Sequence, residues 1–174
     1  MLNKTYKSNT KETILYNNIL LLSRKKVFYT KFNLSDTFQN RINLIFMHIS
    51  FLFIKIKDEK NNEIYKNFYQ NMFDLIFEKI ELNMREIGHG DVIVNKNMKF
   101  LVKTFYNILL NCEKYKVKTQ SSKIVFFSKY LVQNSSEIHT NINQIINYFD
   151  KYQAFCFDLS LDSVLKGNLN FNFK

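Results

Sequence analysis

Proline is absent from this chain of 174 residues, and glycine occurs only three times. Both residue types favour turns and interrupt helices, so their scarcity disfavours a sheet with many tight turns and favours long helices. Cysteine is also rare: Cys112 and Cys156 are far apart, and there is no Cys-x-x-Cys pair. This spacing indicates neither a zinc site nor a redox pair, and we expect two small core residues in a reducing compartment.

Long apolar runs are missing as well. The longest uncharged apolar stretch covers residues 42–54. As a helix it would extend about 20 Å, less than the roughly 30 Å of a bilayer core, which predicts a buried helix of a soluble protein. Residues 1–10 are polar, lack the apolar region of a signal peptide and are too short for an organelle presequence, so a flexible N-terminus is expected.

The residues that are present predict a packed globule. Hydrophobic residues make up 46% of the chain and aromatic residues 16%, which is typical of a folded domain. One domain over residues 11–167 is the simplest arrangement for this length. The net charge of +10 is weaker support for a nucleic-acid partner than usual, because the heavy use of lysine and asparagine is typical of an AT-rich coding sequence.

Apolar residues recur three and four positions apart along most of the chain, which predicts an all-α fold of six or seven helices. The aromatic-rich connector over residues 27–35 either lies flat on the core or forms an apolar groove for a partner segment. A frayed tail over residues 168–174 is expected after Gly167. The predicted helices cover residues 11–26, 36–57, 63–87, 96–118, 122–133, 136–155 and 159–166.

Polar residues that precede the helices are expected to cap them. Thr10 precedes the first helix, where Ile14 and its apolar neighbours are expected to face the core. Ser35 or Asp36 precedes the second helix, and Asp36 with Gln39 resembles a capping box. Asn95 is expected to cap the fourth helix, and Ser135 or Ser136 the sixth.

Two of the three glycines, Gly88 and Gly90, lie one residue apart between the third and fourth helices. Gly88 fits the left-handed position that commonly ends a helix. Because glycine is otherwise so scarce, we expect this loop to set the angle between the two helices.

The third and fourth helices carry opposite charges. The third helix has a polar stripe of acidic character that ends in the pair Glu81 and Arg85, four residues apart. The fourth helix region has eight lysines and one acidic residue over residues 96–129. This lysine face either docks onto an anionic partner, such as ribosomal RNA, phospholipid head groups or an acidic protein, or only keeps the helix in solution. The candidate binding residues are Lys96, Lys99, Lys103, Lys114 and Lys118.

Only three of the 25 Lys and Arg residues are arginine: Arg24, Arg41 and Arg85. A planar guanidinium binds a carboxylate through two parallel hydrogen bonds, which an ammonium group does not reproduce. These arginines therefore serve either to recognise a partner or to form internal ion pairs with Glu86 or Asp91.

No catalytic set is found in the sequence, and we expect neither an enzyme nor a cofactor or metal ion. His48 lies in the most apolar helix and is expected to be a hydrogen-bonded core residue. His89 lies between two glycines and is expected to be an exposed loop residue. Asp74 and Glu78 belong to a solvated helix face, and no phosphate-binding glycine motif is present. An enzyme that acts on a membrane lipid or a quinone remains the least favoured alternative.

The order of these features resembles the ubiquinol–cytochrome c chaperone family, the assembly factors of the cytochrome bc1 complex. The most specific part of this resemblance is the run over residues 85–99, which begins with the pattern Arg-Glu-x-Gly-x-Gly-Asp. A Phe-Tyr pair follows this run. The sequence departs from the family's pattern at His89, at residues 107–108 and at residues 133–134. The positions that carry the resemblance are Leu15, Tyr16, Arg24, Phe28, Tyr29, Asp36, Thr37, Arg41, His48, Arg85, Glu86, Gly88, Gly90, Asp91, Phe105 and Tyr106.

The resemblance implies a non-enzymatic chaperone that binds newly made cytochrome b during bc1 assembly. Eukaryotic members work in mitochondria with a small partner protein and associate with the ribosome. The lack of a presequence suggests an alphaproteobacterial version that acts in the cytoplasm against the inner membrane. The alternative from another class is a basic RNA- or ribosome-binding domain without a respiratory client, whose affinity falls steeply with salt.

Overall fold

The structure is a computed structural model that describes residues 10–57, 63–131 and 138–173. These residues form an all-α fold, as predicted. All seven expected helices are present, and a short extra helix lies in the predicted connector. The helices are α1 (Lys11–Ser23), α2 (Val27–Thr30), α3 (Phe38–Lys57), α4 (Glu63–Glu86), α5 (Asp91–Glu113), α6 (Gln120–Tyr130), α7 (Ile138–Asp158) and α8 (Leu161–Leu165), with a 3₁₀ turn at Tyr115–Val117.

Helix α3 is the centre of the molecule. It packs against α1, α4, α5, α7 and α8, and nearly every residue over 42–53 is buried. This confirms the buried helix predicted from the uncharged apolar stretch. Within the part of the chain that the structure describes, no helix is both long and apolar enough to cross a membrane.

His48 lies in the middle of α3 with no exposed surface. Its Nδ1 is 2.7 Å from the carbonyl oxygen of Leu44, and its Nε2 is 2.8 Å from the hydroxyl of Tyr148 on α7. A carbonyl only accepts, so Nδ1 carries the proton, and Nε2 accepts from Tyr148. The predicted hydrogen-bonded core histidine is confirmed.

The first helix begins as predicted, with the Thr10 side chain accepting a hydrogen bond from the Thr13 amide. The expected inward direction of Ile14 is wrong, because this side chain is 42% exposed. The connector after α1 folds into α2, and its Phe28 is completely buried against Tyr148. The aromatic connector therefore lies on the core rather than forming an open groove.

Two predicted helix starts are wrong. Helix α3 is capped by Thr37, whose hydroxyl accepts from the Asn40 amide, whereas Asp36 is occupied by Arg41. Helix α5 begins at Asp91 with Gly90 as its N-cap, five residues before the expected cap at Asn95. An early start lets Val94 become fully buried, and Asp91 favours the positive end of the helix.

The C-terminal segment also differs from the expectation. Residues 168–173 do not fray: Leu169 is buried, and Phe171 and Phe173 pack against Tyr148 at ring distances of 5.4 and 5.0 Å. The segment between the second and third predicted helices (residues 58–62), residues 1–9 of the N-terminus that was expected to be flexible, and the predicted cap at Ser135 or Ser136 lie outside the described residues.

Candidate functional site

Helices α4 and α5 form a hairpin around the two neighbouring glycines. The Gly88 amide donates to the carbonyl of Arg85, and the His89 amide donates to that of Met84. These two hydrogen bonds are the Schellman pattern that ends a helix with a left-handed residue. Gly88 has φ of 98°, which confirms the prediction, whereas Gly90 has an extended conformation and starts α5.

Arg85 joins the two helices across this loop. It donates to Glu81 at 2.8 and 3.1 Å and to the Asp91 carboxylate at the start of α5. These hydrogen bonds, with that to Asp91 foremost, raise the pKa of the Arg85 guanidinium. Of the two expected acidic partners, Asp91 is thus confirmed, whereas Glu86 is exposed and forms no ion pair within the described residues.

Arg41 is paired with a residue that the sequence did not indicate as its partner. It donates to both carboxylate oxygens of Asp36, at 2.6 and 2.7 Å, and these hydrogen bonds lower the pKa of Asp36. Arg24 follows the last residue of α1. Within the described ranges its guanidinium forms no hydrogen bond or ion pair. Two of the three arginines therefore form internal ion pairs, but only Arg85 does so with an expected partner, Asp91.

The inner face of α5 holds the hairpin on the core. Phe105 is 1% exposed, and its ring contacts those of Phe46, Phe53, Phe73 and Phe77 at 5.3 to 6.0 Å. The other buried apolar residues of this face recur at helical spacing, although Val94 lies before the predicted start of the helix. They are Val94, Leu101, Ile108 and Cys112. Burial raises the pKa of the Cys112 thiol, which makes it an inert core residue.

The opposite side of α5 combines lysines with exposed apolar side chains. Phe100 is 59% exposed and lies one helical turn from both Lys96 and Lys103. Ile93, 50% exposed, and Leu110, 58% exposed, extend the same side towards the two ends of the helix. We call this set the outer face of α5. It consists of Val92, Ile93, Lys96, Lys99, Phe100, Lys103, Tyr106 and Leu110, all exposed.

The sequence prediction found the lysines of this face but missed its apolar residues. The missed signal was present: positions 93, 96, 100, 103 and 110 follow helical spacings of three, four and seven. Tyr106 belongs to both sides, since it is 46% exposed and still lies 5.8 Å from the Phe73 ring. In the hairpin loop that precedes α5, Ile87 is 63% exposed as well.

Two predicted members of the lysine face lie elsewhere. Helix α5 ends at Glu113, so Lys114 follows the helix and Lys118 follows the 3₁₀ turn. Lys118 donates to the Asn111 side chain at 3.1 Å. It lines a separate groove of about 400 Å³ with Phe126 and Tyr130 of α6. The contiguous lysine face is therefore shorter than predicted.

The described residues contain no group of three or more His, Cys, Asp or Glu side chains placed to hold a metal ion. His89 is exposed in the loop, as predicted, and the acidic side chains of α4 lie on its outward stripe. The outer face of α5 has a composition that suits binding, because it exposes apolar area beside positive charge.

Comparisons with known proteins agree with this architecture. The ubiquinol–cytochrome C chaperone family model matches residues 30–170. The crystal structure of the Cbp3 homolog from Brucella abortus, an alphaproteobacterium, is similar with a TM-score of 0.79 and 20% sequence identity, over 94% of this chain and 89% of that chain. No curated protein sequence matches the chain significantly. The family match spans well over half of the chain, and the protein therefore belongs to the ubiquinol–cytochrome c chaperone family.

Proposed function

We propose that this protein is a non-enzymatic assembly chaperone for the ubiquinol–cytochrome c reductase (bc1) complex, and that it binds newly made cytochrome b on the outer face of α5. Family membership supports the assembly role. The observation that carries the binding surface is the exposure of Phe100, Ile93 and Leu110 between lysines of one helix face. Exposed apolar area of this kind marks an interaction site.

The physical requirement on such a chaperone explains the mixture of residues. A newly made membrane protein presents apolar segments that must be covered reversibly. Phe100 supplies apolar area for this contact, while Lys96 and Lys103 keep the uncovered face hydrated and attract anionic surfaces. The same lysines orient the protein on anionic lipid or ribosomal RNA, as a peripheral contact at the inner membrane. The hairpin stays folded when the face is empty, because Phe105 anchors α5 from the other side.

The test compares two exposed phenylalanines in a host that lacks the gene. Phe100→Ser removes apolar area from the outer face, and Phe157→Ser removes a 40% exposed phenylalanine from α7. We expect the wild type and Phe157→Ser to restore the haem absorbance of cytochrome b, and Phe100→Ser to restore it less. Purified variants with equal melting temperatures exclude misfolding as the cause.

Bulk translation is measured in the same strains. A selective loss of the b-type absorbance in the deletion strain supports the assembly role. A global translation defect instead supports the basic RNA-binding alternative and contradicts the respiratory client. Equal rescue by Phe100→Ser and Phe157→Ser contradicts the placement of the client on α5.

A further inference from the structure

One cavity is lined by four of the positions that carry the family resemblance, although these positions are scattered along the sequence. They are Arg24, Tyr29, Asp36 and Arg41. Arg24 directly follows α1, Tyr29 lies in α2, Asp36 precedes α3, and Arg41 lies in the first turn of α3. The cavity has a volume of about 430 Å³, and Lys26 and Thr30 complete its lining. Its lining therefore carries three cations against one carboxylate.

The two arginines of the cavity are not equivalent, because only the guanidinium of Arg41 is paired with a carboxylate. Arg41 is held by the Asp36 carboxylate, and the neighbouring Tyr29 hydroxyl donates to the carbonyl of Ser23 at 3.2 Å. Arg24, by contrast, has no hydrogen-bond or ion-pair partner in the described part of the chain. One side of the cavity is therefore held by the Arg41–Asp36 ion pair, whereas on the other side the guanidinium of Arg24 has two N–H donors available for a ligand.

From this arrangement we infer that the cavity binds an acidic side chain of a partner polypeptide, with its carboxylate on Arg24 and next to Lys26. The Arg41–Asp36 pair in the same wall has the two-bond geometry that a guanidinium forms with a carboxylate. Protein sites for phosphate commonly add backbone amides of a helix start. Here the amides of Phe28 and Tyr29 already donate to the carbonyls of Lys25 and Lys26.

The surroundings of the cavity favour a polypeptide over a small anion. Leu21 is 67% exposed and lies one turn before Arg24 on α1, and Phe38 is 38% exposed and lies one turn before Arg41 on α3. If the partner has apolar residues on either side of its acidic residue, they can contact Leu21 and Phe38. The site uses α1, α2 and α3 and none of the outer face of α5, so its failure leaves the proposed function untouched.

The test is a titration of the full chain, followed by amide and arginine side-chain NMR signals. The probe is the blocked peptide acetyl-Gly-Leu-Glu-Leu-Gly-amide, and its matched control carries Gln in place of Glu. We expect the signals of Arg24 and Tyr29 to shift with the Glu peptide, and the Gln peptide to bind about fivefold more weakly. Arg24→Lys keeps the charge and removes the fork, and it is expected to weaken binding by a similar factor.

Lys31→Gln is the matched control, because it removes an exposed charge outside the cavity lining and is expected to leave binding unchanged. Equal affinity for the Glu and Gln peptides overturns the inference, as does wild-type affinity in Arg24→Lys. Inorganic phosphate and phosphatidylglycerol vesicles are titrated in parallel. Shifts at Arg24 with either of these, without a response to the Glu peptide, assign the cavity to a phosphate group and also overturn the inference.

Discussion

At the scale of single residues, the burial of His48 makes stability depend on pH. Burial lowers its pKa to about 4, from an ordinary value of 6.5. The unfolded chain therefore binds a proton at a pH at which the folded chain does not. Stability is complete above about pH 6.5 and is lost as the pH falls towards 4, because protonation then favours the unfolded state.

The predicted loss is about 2 kcal/mol of unfolding free energy between pH 7.5 and pH 5. It is measured as the shift in the urea midpoint at constant slope. His48→Gln removes the titrating group, so this variant is expected to start less stable and to lose most of the pH dependence over the same interval. An unchanged pH dependence in His48→Gln contradicts the assignment of the effect to this imidazole.

At the scale of elements, the α4–α5 hairpin depends on one glycine more than on the other. A Cβ atom added at either Gly88 or Gly90 would meet no atom within 4 Å, so packing does not distinguish the two positions. Their backbones do, because Gly88 has φ of 98° and Gly90 has φ of −71°. We expect Gly88→Ala to cost about 1–2 kcal/mol of unfolding free energy from backbone strain alone.

Gly90→Ser is the matched variant. Its backbone suits any residue, and serine at an N-cap accepts a hydrogen bond from the first turn, so stability is expected to stay the same or rise by a few tenths of a kcal/mol. Urea unfolding of both variants beside the wild type decides the matter. If the two substitutions cost the same, the left-handed position of Gly88 is not what holds the hairpin.

The same hairpin indicates which features a sequence predicts. The helical periodicity of the buried residues around Phe105 follows from local spacing. The helix end at Gly88 follows from backbone preference and was predicted correctly. The start of α5 was placed at Asn95 because asparagine is a good cap. The observed start at Asp91 allows the complete burial of Val94 against the core, which local propensity does not measure.

At the scale of the whole molecule, prediction failed where distant segments meet. The cavity residues Arg24, Tyr29, Asp36 and Arg41 lie in or beside three helices, and their common cavity exists only after α1, α2 and α3 have packed. The segment after Gly167, which was expected to fray, is a second case. Gly167 has φ of 76°, and its carbonyl accepts from the Asn18 side chain at 2.6 Å, which holds residue 167 against α1.

The C-terminal residues after Gly167 complete the aromatic core instead of leaving it. Apolar residues alternate with asparagine over residues 168–173, a period of two that indicates an extended segment with one buried side. Phe171 contacts Tyr152 and Phe155 at ring distances of 5.1 and 5.2 Å. The Lys25 ammonium also donates to the Phe171 carbonyl at 3.3 Å. A segment that looked like a tail thus covers residues of α7.

We therefore expect the double substitution Phe171→Ala and Phe173→Ala to cost about 2–4 kcal/mol of unfolding free energy, because two half-buried rings leave Tyr148 partly uncovered. The matched control, Asn170→Ala with Asn172→Ala, changes the exposed positions of the same segment and is expected to stay within about 0.5 kcal/mol of the wild type. Urea midpoints measure both. The rings pack on the core rather than on each other. A loss of stability confined to the phenylalanine pair therefore indicates that this segment is part of the fold, whereas equal stability of the two double variants would indicate that residues 168–173 are a frayed end.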